Sequence, residues 1–375
     1  MSLFNSKMIL PGIFLTIISI VPISAQKITD SDDDTTLKQI IIFGRHSVRA
    51  PTATPAQLAA FSVKQYPDFG VPAGYLTPHG QAAEVLLGTY FHDYLLHERL
   101  LTGNSAVDLA RSYFRANCIQ RSNVTAAKFG YGLIPGATVP VHSYPLLTAD
   151  PVFETIEAKV ATPDPARAAQ EVQGIYNTGT AIQSAYSAEL ALTRSVLFGY
   201  QNGTQPPPNA PPGLADPTTQ SIPLTPVTTN VSTGNLVNMG GLTSTVNALD
   251  PFIMEYTNGM PLEDVAWGQL SVDAISQQTR LTTLNYNIAF GTPYINQMQS
   301  SNAASHVLRS MEQVVIGDSI PGAFGSSKSR VITVISSDVF VLGLAGMLRM
   351  HWQLPGYQPD FCPPGGALVF ELRQN

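Results

Sequence analysis

The chain has 375 residues, is 44% hydrophobic and 12% charged, and carries a formal net charge of −6. That length supports one large domain or two unequal ones, and that composition excludes a disordered protein. The acidic balance, with no basic cluster, argues against a nucleic-acid partner or an anionic membrane surface.

Residues 1–25 read as a secretory signal. Lys7 is the only charge, Pro11 and Pro22 interrupt the apolar run, and Ile23-Ser24-Ala25 offers a cleavage context. The run is short for a membrane span. The expectation is a secreted or periplasmic protein with no stable membrane insertion after signal cleavage. Residues 26–38 form a solvated tail; its Asp32-Asp33-Asp34 run lacks the spacing of a calcium loop.

Ile40-Ile41-Ile42-Phe43 predicts a buried strand that ends at Gly44-Arg45-His46. Thr77-Pro78 opens a helix running to about Leu101, with Ala83, Leu86, Leu87, Tyr90, Phe91, Tyr94 and Leu95 at helical spacing; Gly103-Asn104 closes it. Ser112-Tyr113-Phe114 reads as a strand, 119–132 as a helix and 138–143 as a short strand. Residues 154–198 are mostly helical. Residues 202–230 carry Pro206-Pro207-Pro208 and Pro211-Pro212 and read as a stiff spacer loop. Helical pattern returns over 242–258 and 271–311. Val331-Ile332-Thr333-Val334-Ile335 predicts a second buried strand ending at Ser336-Ser337-Asp338, and 366–372 a third.

Strands at both ends and helices between them predict an α/β fold. Its mostly parallel central sheet is flanked by helices, with an inserted, mainly helical cap. Residues 39–150 and 312–375 supply the sheet part and 151–311 the insertion, with part of the cap also drawn from 56–105.

Arg45-His46-Ser47-Val48-Arg49-Ala50-Pro51 sits at the C-terminal end of the first strand, where α/β folds bind ligands. Two arginines flanking one histidine can hold a tetrahedral anion against a nucleophilic nitrogen. No His, Cys and carboxylate cluster demands a metal ion, and no cofactor is expected. Cys118 and Cys362 allow one disulfide or two small buried thiols. His142, His306 and His351 lie on patterns that favour structural roles. Asn-x-Ser/Thr acceptors stand at Asn123, Asn202 and Asn230, the first inside a helix that approaches the site.

Several segments occur in one order. Arg45-His46-Ser47-Val48-Arg49-Ala50-Pro51-Thr52 is followed by Leu76-Thr77-Pro78-His79-Gly80, then Arg115-Ala116-Asn117 with Gln120-Arg121-Ser122. After these come Asp150-Pro151-Val152-Phe153, Gly259-Met260-Pro261, Ser337-Asp338 and Pro363-Pro364-Gly365-Gly366. In this order they resemble the histidine acid phosphatase family, which includes phytases and sugar-phosphate phosphatases. The resemblance implies an exported phosphomonoester hydrolase acting on a small phosphorylated substrate. His46 is its nucleophile, through a phosphohistidine, and Asp338 its proton donor. Arg45, Arg49, Arg121 and Ser337 bind the substrate phosphate.

Three departures stand out. Ser337 replaces the family's usual histidine, a stronger donor. Ser47 replaces the usual glycine, and His79 an arginine. The chain also stops soon after its third strand, which predicts an open sheet edge or uncovered apolar surface. The alternative reading is a phosphate-binding pseudophosphatase with little turnover, because of Ser337.

Overall fold

The computed structural model describes residues 35–62, 64–146, 148–198, 216–228 and 234–375, and the backbone of 8–10 and 13–19. The cleavage context at 23–25, the run Asp30 to Asp34, most of the proline-rich loop and the acceptors Asn202 and Asn230 lie outside the described residues.

In chain order the strands are β1 (Met8–Leu10), β2 (Ile13–Ser19), β3 (Thr36–Arg45), β4 (Ser112–Ala116), β5 (Val141–His142), β6 (Thr225–Pro226), β7 (Val237–Asn238), β8 (Val331–Ser336) and β9 (Ala367–Gln374). The helices are α1 (Pro55–Leu58), α2 (Pro78–His97), α3 (Ser105–Ala110), α4 (Gln120–Leu133), α5 (Pro165–Tyr176), α6 (Gly179–Ala185), α7 (Ser187–Phe198), α8 (Gly241–Thr257), α9 (Val272–Tyr286), α10 (Pro293–Ile316) and α11 (Asp338–Met347).

The main sheet runs β1-β2-β9-β3-β8-β4-β5. β3, β8, β4 and β5 are parallel; β9 is antiparallel to β3 and to β2. Strand alternation explains its burial on both faces. Ile41 and Phe43 point to one side, where they meet Ala303, Val307 and Met311 of α10 and Val341, Leu342 and Leu344 of α11. Ile40 and Ile42 point to the other, onto Phe91 and Leu95 of α2 and Phe129 and Leu133 of α4. The result is the expected α/β architecture, a mostly parallel sheet between helices. A separate apolar cluster joins α5 to α9 and the start of α10, and takes in Leu58 and Tyr66 from the segment after β3.

Several sequence expectations are corrected in detail. The strand read over 138–143 pairs only at Val141 and His142. Asn104 does not close α2; its side chain accepts the Ala106 and Val107 amides and so opens α3. The helical stretch 154–198 is three helices, and Asn177, at φ +65°, ends the first of them. The outer edge of β9 is not open. β2 pairs along it from Phe14↔Arg373 to Ser19↔Leu368, so two strands fall inside the segment read as a signal.

Cys118 and Cys362 are not joined; both are buried free thiols. Cys118 Sγ donates to the Thr148 carbonyl at 2.8 Å, whereas Cys362 packs in the cluster under α11. Burial raises both thiols above their ordinary range, Cys362 to about 12, so both stay protonated and unreactive.

Candidate active site

Three parallel strands end together. Arg45, the last residue of β3, is in register with Ser336, the last of β8. The His46 amide then donates to the Ser336 carbonyl at 2.8 Å, and the Asn117 amide, just beyond β4, donates to the Ile335 carbonyl at 2.8 Å. This places Arg45-His46, Ser337-Asp338 and the start of α4, which carries Arg121, around one point. Segments nearly 300 residues apart in sequence thus meet where an α/β sheet binds ligands.

His46 is buried, 2% exposed. Its Nδ1 lies 2.8 Å from the Ser47 carbonyl. A carbonyl only accepts, so Nδ1 carries the hydrogen and Nε2 keeps its lone pair. Burial, followed by the charges of Arg121, Arg45 and Arg49, holds the imidazole well below its ordinary value. It is therefore neutral at mildly acidic pH.

The arginines are held through their terminal nitrogens. Arg45 pairs with Asp338 at 3.0 Å and also donates to the Cys362 carbonyl. Arg49 forms a fork with Asp250 of α8, at 2.8 and 3.0 Å. Arg121 donates to the Gly74 carbonyl at 3.3 Å. The Nε–H of all three is buried and has no protein partner. A buried donor without an acceptor is costly, and all three of these arginines bear on the His46 ring, so the site suits an anion. Burial and the neighbouring Arg49 lower Arg121 to about 10, which still leaves it charged.

Asp338 is the first residue of α11, where its carboxylate accepts the Val339 amide at 3.0 Å. Ser337 occupies the cap position of that helix without making a side-chain cap bond. The other sequence-noted histidines lie elsewhere. His142 stacks on Tyr113 at 4.7 Å, His306 stacks on Phe324 at 5.2 Å, and exposed His351 pairs with Asp360 at 2.9 Å. His79 is exposed beside Gly259. Asn123 donates to the Asn117 and Ile119 carbonyls and so braces the turn into α4.

Two residues of the site escaped the sequence reading. Asp250 is held ionised despite burial, because Arg49 and then Arg45 and Arg121 outweigh desolvation. Its signal was a lone acid inside the apolar helix Val246-Asn247-Ala248-Leu249-Asp250-Pro251-Phe252. Tyr286 ends α9 where the chain passes into a π-helical turn, 287–291. Burial and the charges of Asp338 and Asp250 raise its phenol, so it remains a hydroxyl donor. The motif residues Arg115 and Asp150 form a buried ion pair at 2.5 Å that braces the end of β4.

A buried neutral imidazole under the charge of three guanidiniums, one of them paired with the Asp338 carboxyl, is equipped for phosphoryl transfer. The chain belongs to the histidine phosphatase superfamily, branch 2, whose model matches residues 36–375, and it is a phosphoric monoester hydrolase. It is 26% identical over 350 residues to a glucose-1-phosphatase of Providencia rettgeri, covering 92% of this chain and 78% of that one. Phytase AppA of Escherichia coli strain K12 is 25% identical over 363 residues, covering 94% and 80%. A solved phytase of Hafnia alvei in complex with tartrate superposes with a TM-score of 0.78 at 26% identity, covering 91% of this chain and 82% of that one.

Proposed function

We propose that His46 is the nucleophile of a two-step phosphomonoester hydrolysis. Nε2 attacks phosphorus as the bond to the leaving oxygen breaks. Arg45, Arg49 and Arg121 hold the non-bridging oxygens through donors that include their partnerless Nε groups. Asp338 gives its proton to the departing oxygen, so the alcohol leaves neutral and phosphate remains on His46. The Asp338 carboxylate then takes a proton from water. The oxygen of that water bonds to phosphorus, the N–P bond breaks, and inorganic phosphate leaves with Asp338 protonated again.

Asp338 pairs with Arg45 in the resting enzyme, and an arriving phosphate dianion competes with it for that guanidinium. The Ser337 hydroxyl, which makes no cap bond, adds a neutral donor to the phosphate.

The observation that carries this reading is the set of three partnerless Nε donors around one buried imidazole. The reading of a phosphate-binding protein with little turnover draws no support from the relatives, which are named as phosphatases and phytases.

A cleft of about 450 Å³ opens beside Ala50 and Pro51, the residues after Arg49; among the described residues its lining includes Leu58, Tyr66 and Phe69, with one base, Lys64, and one acid, Asp68. That lining, with Asp250 in the clamp, suits the monophosphate of a compact neutral alcohol better than a polyphosphate. The apolar N-terminal stretch supports export.

The leaving-group dependence tests the mechanism. His46→Ala should abolish turnover. Asp338→Asn should lower the rate on an alkyl phosphate by about 10²–10⁴-fold, yet largely preserve the burst from p-nitrophenyl phosphate, whose leaving group needs no proton. Equal losses on both substrates would remove Asp338 from the role of acid.

A further inference from the structure

The sheet has a second charged end. Lys38 stands near the start of β3, and Arg111 and Arg330 immediately precede β4 and β8. These strands are neighbours in the order β3-β8-β4 and run parallel. The three cations therefore share the end opposite His46, on the order of 20 Å away along β3. The backbone ties these strand ends together. The Arg330 and Val331 amides donate to the Arg111 carbonyl at 2.6 and 3.3 Å, and the Ile40 amide donates to the Arg330 carbonyl at 2.9 Å. The register of β3 against β9 shifts between Leu37 and Gln39, which makes Lys38 a bulged residue; bulges re-aim side chains. Arg99, in the turn after α2, adds a fourth cation from a left-handed φ of +58°.

All four line one cleft of about 550 Å³, walled by Arg373 of β9 and by Val314 and Val315 of α10. Among the described residues the lining holds no Asp or Glu. Arg373 is already engaged, by Glu98 at 2.7 Å and Glu371 at 2.8 Å. Lys38, Arg99, Arg111 and Arg330 form no ion pair among the described residues. Nη1 of Arg330 is buried with no hydrogen-bond partner. Burial, then the charge of Arg111, lowers Arg330, as expected of two neighbouring guanidiniums uncompensated by an acid. The protein carries a net charge of −6, yet it leaves four cations unpaired around one concavity, which is a setting for an anion. They are scattered through the chain at 38, 99, 111 and 330, so only the fold assembles the charge.

We propose that this cleft is a second anion site, one that binds a small oligophosphate, and that it works independently of the chemistry of His46. The span of the cations selects the ligand. Adjacent strands lie about 4.8 Å apart, so β3 and β4 stand about 10 Å apart with β8 between them. A single phosphate reaches the cations of one strand or two; a chain of three phosphoryl groups reaches all of them. The forked donors of Arg99, Arg111 and Arg330 suit phosphoryl oxygens. The concave shape favours a small ligand over a flat membrane surface or a duplex. A ligand seated here lies at the far end of the sheet from the imidazole, so it is held rather than hydrolysed.

The test titrates tripolyphosphate into the His46→Ala protein by calorimetry at low salt. One equivalent should bind in the cleft, beside any held by the active-site arginines. Arg111→Gln combined with Arg330→Gln should abolish it, whereas Arg49→Gln should leave it in place. Lys38→Gln combined with Arg99→Gln, at positions less tied into the strand ends, should weaken it by roughly tenfold or more; this pair keeps the test decisive where the first pair fails to fold. Placed in the parent chain, the Lys38 and Arg99 pair should leave hydrolysis of p-nitrophenyl phosphate unchanged. Binding that both cleft pairs leave intact overturns the inference, as does the absence of any equivalent beyond those that Arg49→Gln abolishes. Binding that appears only after Asp30, Asp32, Asp33 and Asp34 are all replaced by Asn also overturns it, since the cations would then serve the chain's own acids.

Discussion

Arg49 reaches its carboxylate partner Asp250 across 201 residues of sequence. No spacing rule links such a pair, which is why the clamp was legible in its arginines and not in its acid. Breaking one side of a buried pair leaves the other charge uncompensated, and a bound anion relieves it. Asp250→Asn should therefore tighten competitive inhibition by inorganic phosphate several-fold, measured as a lower inhibition constant at pH 5. Weaker inhibition would mean that Asp250 serves mainly to orient Arg49. Tyr286 was hidden for a similar reason. An aromatic residue late in an apolar helix reads as core, and only the fold shows Asp338 and Asp250 bearing on its phenol. Ser337 and Ser47, by contrast, were visible as departures from a known pattern. The structure gives Ser47 two hydrogen-bonding partners, His46 and Thr125, that sequence gave no way to assign.

At the scale of elements, α2, α4, α8, β3, β8 and β9 follow from apolar periodicity and from caps such as Thr77, whose side chain accepts the Gly80 amide at 3.0 Å. What periodicity could not show is how closely α2 and α4 cross. A β-carbon at Gly88 would lie 2.1 Å from the Phe129 carbonyl, and one at Gly132 would lie 2.1 Å from the Val85 carbonyl. Both obstacles are backbone atoms, which cannot rotate away. Since α4 carries Arg121, this crossing sets the depth of that site residue. Gly88→Ala should cost about 1–3 kcal/mol in urea unfolding and lower kcat as well, although the residue is remote from substrate. Unchanged stability would show that the helices can separate freely. The two-residue β5 was over-read because short polar-apolar alternation outside a ladder carries little information about pairing.

For the whole molecule, pH acts through buried carboxyls. Glu84 is raised to about 8 and Glu255 to about 7, in both cases chiefly by burial. Glu255 accepts the Ala266 amide at 2.8 Å, while its Oε1 has no partner. A raised carboxyl binds its proton more tightly when folded. Its contribution is complete below the unfolded value near 4.5 and is lost as pH rises through 7–8. His46 works in the opposite sense: held neutral in the fold, it favours unfolding as pH drops below about 6.5. The double variant Glu84→Gln, Glu255→Gln should therefore gain stability relative to the parent as pH rises from 5 to 8, measured by urea midpoints. A difference independent of pH would contradict this account. The active site converges on the lone pair of one imidazole, and the most direct measurement is to find where the phosphoryl group goes. Enzyme mixed with p-nitrophenyl phosphate and denatured in alkali within milliseconds, then digested for mass spectrometry, should carry phosphate on His46. The label should vanish on longer incubation in buffer and be absent from His46→Ala. Phosphate on Ser47 or another side chain, or turnover that survives loss of His46, would contradict the account.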